Sequence, residues 1–137
     1  MKQRLDFAYL TVLPNNIIEV VIDDGIELTL EMVEESHQVL KEAMTSCFAL
    51  LINNIHQFEM TFEAKLTMAS HEQLKAIAFV YYNQNNKTEI EKLIELRKVD
   101  DWNVKIFSGL EMGWQEAHSW LTHEMESLKA KSNLSDD

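Results

Sequence analysis

Short apolar runs rich in β-branched and aromatic residues alternate along this chain with amphipathic helical stretches. No other feature limits the fold as strongly. Strands separated by helices predict an α/β domain whose sheet is mostly parallel. The expected order is ββαβαβαβα, a β-hairpin followed by βα repeats, giving a mixed, mostly parallel sheet packed with helices.

The first run spans Leu5 to Leu13, with Leu5, Phe7, Tyr9, Thr11 and Leu13 expected on one face at period two. Pro14-Asn15-Asn16 predicts a turn, because proline presets φ and asparagine tolerates the left-handed region. Ile17 to Ile22 is the return strand; Asp23-Asp24-Gly25 bends the chain, and Ile26 to Leu28 is expected to extend the strand. Thr29 is the expected N-cap of a helix from Leu30 to Met44, with Val33, His37, Leu40 and Met44 at helical spacing. Cys47 to Ile52 is continuously apolar, as suits a strand covered on both faces. A helix is expected from Thr61 to Gln73 with Leu66 and Ala69 inward, then a strand from Leu74 to Tyr82. Asn83 to Asn86 reads as a polar loop, and Thr88-Glu89-Ile90-Glu91 as a capping box opening the third helix. Asn103 to Phe107 is the last strand. Ser108-Gly109-Leu110-Glu111 is a second capping box, expected to open a long helix through Trp114, Ala117, Leu121 and Leu128.

The 137 residues suit one domain, read as residues 1–130, with 131–137 as a frayed C-terminal tail. A net charge of −11 repels phosphate backbones and anionic lipid surfaces, so nucleic acid is not an expected partner. The single cysteine, Cys47, excludes an internal disulfide and fits a reducing compartment. No apolar run approaches the roughly 18 residues of a membrane span. No signal-peptide pattern opens the chain, and the expected location is cytoplasmic.

Catalytic and metal signatures are missing from the sequence. His118 and His123 stand five apart on a helix and do not share a face. His71-Glu72 begins like a zinc-protease motif, but Lys75 occupies the place of the second histidine. Three glycines, at 25, 109 and 113, make no phosphate-binding loop. No metal and no cofactor is expected. One loop does attract attention. His56-Gln57-Phe58-Glu59-Met60-Thr61-Phe62 follows the central strand, and ligands gather at the carboxyl ends of parallel strands. Its apolar residues plug the end of the sheet or mark an interaction surface.

From Phe7 to Leu121 the chain resembles the STAS-like (SpoIIAA-like) anti-sigma-factor antagonist domains, in particular the small stand-alone bacterial proteins of the Bacteroidota type. The residues behind the resemblance are Gly25 to Glu31 entering the first helix, Phe48 to Ile52 as central strand, and Val104 to Glu111 running on to Trp120-Leu121. It implies a serine at the start of the second helix that a partner kinase phosphorylates. Thr61 falls nearest that place, but Met60 precedes it, Phe62 follows it, and the family's glycine is lacking.

The function expected on this basis is a non-enzymatic regulatory or protein-interaction module. His56, Phe58, Glu59, Met60, Thr61 and Phe62 would form its interaction or switch loop, facing an unidentified protein partner. The alternative is a small apolar-ligand, lipid-like carrier, since the fold is similar to CRAL-TRIO domains and seven methionines suit an adaptable pocket. A hydrolase using His56 with Glu59 or Thr61 ranks third. A homodimer would use Tyr9 and Tyr81 on one exposed sheet face.

Overall fold

The computed structural model describes residues 2–135. Its elements follow in chain order: β1 (Lys2–Arg4), β2 (Ala8–Leu13), β3 (Ile17–Ile22), β4 (Glu27–Leu28), α1 (Leu30–Ala43), β5 (Phe48–Asn53), β6 (Glu59–Met60), α2 (Phe62–Thr67), β7 (Leu74–Tyr81), α3 (Gln84–Leu96), β8 (Val104–Ser108) and α4 (Gly113–Ser135). Six strands form one sheet in the order β1-β2-β3-β5-β7-β8. β1, β2 and β3 pair antiparallel, whereas β3, β5, β7 and β8 are parallel. The fold is α/β, a mixed and mostly parallel sheet packed with four helices.

Strand order follows chain order, so each crossover steps the same way along the sheet. Right-handed crossovers then put α1, α2 and α3 on one face. Residues of all three helices pack there with Phe48, Leu50, Ile52, Ile77 and Phe79. The opposite face presents Ile17, Ala49, Leu51, Ala76, Ala78 and Val80, and α4 covers it with Ala117, Leu121 and Met125. Alanine on both sides of that seam lets α4 lie close on β5, β7 and β8. Opposite the bulkier face, α1 and α2 stand off from the sheet.

Several expectations are corrected. Tyr9, Thr11 and Leu13 alternate with Ala8 and Leu10 along β2, but Leu5 and Phe7 do not share their face: they join Ala8 and Leu10 in the core. The period breaks where Phe7 and Ala8 are buried in succession. Tyr81 packs into the α1–α3 side, while Tyr9 lies on the opposite sheet face under Lys2 and Arg4. The two tyrosines therefore share no surface. Ile26 to Leu28 does not extend β3. After the turn at Gly25 (φ 78°), β4 pairs with β6 in a separate two-stranded parallel sheet.

α2 ends at Thr67, with Ala69 in the left-handed region, and Leu66 points outward while Ala64 is buried. Asn83 to Asn86 is not a loop. Asn83 Oδ1 accepts from the Asn86 amide at 2.7 Å and caps α3, leaving Thr88 inside the helix with its hydroxyl on the Gln84 carbonyl. Ser108 makes no capping bond. A 3-10 turn and Met112 at φ 63° intervene before α4 begins at Gly113. α4 runs on through Lys131 to Ser135; Asp136 and Asp137 of the expected tail lie outside the described residues.

Candidate functional site

Between the sheet and the standing-off helices lies a cavity of about 810 Å³. Leu10, Leu50 and Phe79 of the sheet form part of its floor, and Val33, Leu40 and Ile90 of α1 and α3 part of its roof. Met60 and Met68 are also in its wall. Folded interiors pack to crystal-like density and leave few voids larger than a water molecule. This pocket is partly open to solvent, and its volume falls in the range of small-molecule sites.

The expected loop runs along one end of this cavity. Gln57 N–H donates to Asp24 Oδ1 at 3.1 Å, and the Gly25 and Glu59 amides donate to the Gln57 and Ile26 carbonyls at 2.7 and 2.9 Å. These bonds, with the β4–β6 pairing, clasp the loop to the turn after β3. Phe58 is half-buried against the core, and Phe58, Glu59 and Met60 line the cavity. His56 is exposed and stands outside the wall. Thr61 is the N-cap of α2, its Oγ1 accepting from the Ala64 amide at 3.1 Å. Phe62 is 60% exposed on the outside of α2, near Leu66 at 46%. The loop thus splits into a part-buried set (Phe58, Met60) and an exposed set (His56, Phe62), with Glu59 exposed at the cavity rim and Thr61 at the joint.

Other wall residues carry polar chemistry. The His37 and His71 rings meet edge-on at 6.5 Å, and His71 also meets Phe48 edge-on at 5.0 Å. Burial holds the His37 imidazole below its ordinary pKa, and the charges of His71 and Arg97 add to this against Glu34. Arg97 is buried outside the cavity wall, donating to the Lys65 and Met68 carbonyls at 3.0 and 2.6 Å and to Asp100 at 2.5 Å. It ties the C-terminal end of α2 to the end of α3.

On the other face, Tyr82 O–H donates to Asn53 Oδ1 at 2.6 Å, Asn53 Nδ2 donates to Glu19 at 3.1 Å, and Trp114 Nε1 donates to the same Glu19 oxygen at 2.7 Å. This chain spans β3, β5 and β7 to the start of α4. Burial pushes the Tyr82 phenol up. Each of its four side chains is hydrogen-bonded to another of them, which makes it a structural staple.

Sequence reasoning missed Asn54 and Asn86, which line the cavity. Their signal was present: each closely follows a run of apolar strand residues whose carboxyl end opens toward the cavity. Among the described residues, no cluster of three His, Cys, Asp or Glu side chains is placed to hold a metal ion, and no helix is long and apolar enough to cross a membrane.

Fold and site together define an α/β sheet protein with a partly open pocket, more apolar than polar, on its three-helix face. No protein-family model, curated protein or solved structure matches the chain.

Proposed function

We propose that this protein is a non-enzymatic carrier of a small apolar, lipid-like ligand, held between the sheet and helices α1–α3. The single observation that carries this function is the cavity of about 810 Å³ with largely aliphatic and aromatic walls. Apolar walls retain water poorly. An apolar ligand occupying the space removes its own surface from water, at about 25 cal/mol per Å². The flexible thioethers of Met60 and Met68 adapt to a chain of variable shape.

The test is titration of the full chain with a fluorescent twelve-carbon acyl probe. One saturable site is expected, lost in Leu50→Trp, which fills the cavity floor from the middle of β5. Leu50→Trp is checked for folding by urea denaturation. No binding of any apolar probe to the wild-type chain withdraws the carrier function.

In that case a second function stands in front, a regulatory or protein-interaction module using the outward side of the loop and α2. It is favoured by the exposure of Phe62 and Leu66 next to Thr61. As the cap of α2, Thr61 places its hydroxyl at a helix N-terminus, where a phosphate is electrostatically accommodated.

A further inference from the structure

The cavity has two polar ends, and they differ in charge. Its wall carboxylates, Glu27, Glu59 and Glu89, belong to β4, β6 and the beginning of α3, elements that follow the carboxyl ends of β3, β5 and β7. All three are exposed, and Glu89 is already paired to Lys92. The basic side chains of the wall, His37, Lys65 and His71, gather at the amino end of the strands. His71 comes three residues before β7 begins, and its ring meets that of Phe48, the first residue of β5, edge-on at 5.0 Å. The His37 ring on α1 meets His71 at 6.5 Å. Arg97 donates to the Lys65 and Met68 carbonyls at 3.0 and 2.6 Å and to the Ser70 hydroxyl at 3.1 Å. The chain from Lys65 to His71 is thereby held around one guanidinium, whose own charge is matched by Asp100.

These basic side chains hold donors that the chain does not use. His71 Nδ1 accepts from the Gln73 amide at 3.3 Å, which leaves the ring proton on Nε2. Among the described residues, neither that N–H nor the His37 ring has a hydrogen-bond partner, and the half-buried Lys65 ammonium has no ion-pair partner. Glu34, one turn before His37 on α1, is exposed and outside the wall. Burial disfavours charge on His37, so the positive charge at this end is that of Lys65. A carboxylate brings acceptors to the ring N–H groups and a negative charge to the unpaired ammonium, and hydrogen bonds between ionised groups are the strong ones. An ester or an alcohol brings an acceptor without the charge. At the opposite end, Asn54 and Asn86 have Oδ1 buried and can offer Nδ2 as a neutral donor, near the glutamates.

Resting on the carrier function above, we propose that His37, Lys65 and His71 form the headgroup subsite for the carboxylate of a single-chain fatty acid. Its chain lies along the Phe48, Leu50 and Phe79 floor. At about 30 Å³ per water-sized group, the cavity has room for roughly 25 non-hydrogen atoms, enough for a long-chain fatty acid.

The experiment is displacement of the acyl probe from the full chain by four ligands of one chain length at pH 8: dodecanoate, methyl dodecanoate, dodecanol and dodecylammonium. Dodecanoate is expected to displace at about tenfold lower concentration than the other three, the worth of one hydrogen bond to an ionised group. Lys65→Met, with His71→Leu as the second variant, is expected to erase most of that ratio while the ester displaces as before. Asn54→Leu is expected to leave the ratio intact. Each variant is checked for folding by urea denaturation. Equal displacement by all four ligands overturns the headgroup subsite and leaves the carrier function standing. A preference for the alcohol or the ammonium overturns it too, as does a carboxylate preference that survives both Lys65→Met and His71→Leu or is lost in Asn54→Leu. Failure of every ligand and of the probe to bind removes the carrier function itself.

Discussion

Asn83 and Ser108 each stand at the end of a strand run and shortly before a helix, yet only one of them caps. Asn83 is extended (φ −154°) and aims Oδ1 at the Asn86 amide; Ser108 makes no such bond, because the 3-10 turn from Gly109 separates it from α4. A cap is a matter of backbone position as well as residue type. Asn83→Ala is therefore expected to cost about 1 kcal/mol, and Ser108→Ala to stay within about 0.5 kcal/mol. Urea denaturation of the two variants checks this, and a larger loss at Ser108 would refute it. Gly109 is less replaceable than its neighbour. A Cβ there would stand 2.3 Å from the Tyr82 ring, whose hydroxyl begins the staple to Glu19. The two capping boxes read from sequence failed for one reason: the pattern marks a hydroxyl and a carboxylate three apart without saying where the helix starts.

Among the elements, the contrast is between α4 and the three helices opposite. Ala78 lies wholly buried beneath α4, whereas Leu40 on α1 borders open volume. Ala78→Val is expected to destabilise by about 1–3 kcal/mol through overpacking, and Leu40→Phe by less than about 1 kcal/mol because the added carbons have space to enter. Denaturation midpoints decide the matter, and equal losses would mean that the two faces are packed alike. The elements most legible in the sequence were β3, β5 and β7, each mostly apolar with a single polar residue, Glu19, Asn53 and Lys75 respectively. α2 was overestimated because residues 68–73 are of helix-compatible types, but the left-handed Ala69 turns the chain toward β7. β1, β4 and β6 are two or three residues long and carry no periodicity that a sequence pattern can register.

For the molecule as a whole, the cavity was not legible, and the reason is geometric. Residue types tell which side chains face inward, but a volume is the difference between the space enclosed and the space those side chains fill. The seven methionines hinted at adaptability, and two of them do line the wall, but Met44 and Met125 are ordinary core and Met112 is exposed. Folding around the cavity also couples stability to pH through His37. Its folded pKa lies below its ordinary value of 6.5, with burial as the leading cause. As pH falls below about 6.5, the unfolded chain takes this proton first, so stability falls until the folded pKa is passed; above about 6.5 the group contributes nothing. His37→Gln is expected to lose less stability than wild type between pH 7.5 and pH 5.5. An unchanged difference in urea midpoint between the two pH values would show that other groups carry the acid sensitivity.

The position of α4 has a consequence for how the protein is made. Every strand of the sheet precedes α4 in the chain, and among the described residues α4 alone contributes the helical side of the second apolar cluster. During synthesis the first face acquires its helices one by one, each soon after the strand before it. The second face, with Ala49, Leu51, Ala76, Ala78 and Val80, stays bare until α4 has left the ribosome. A nascent chain halted before Gly113 would carry an adhesive apolar surface, which α4 seals once it folds onto the sheet.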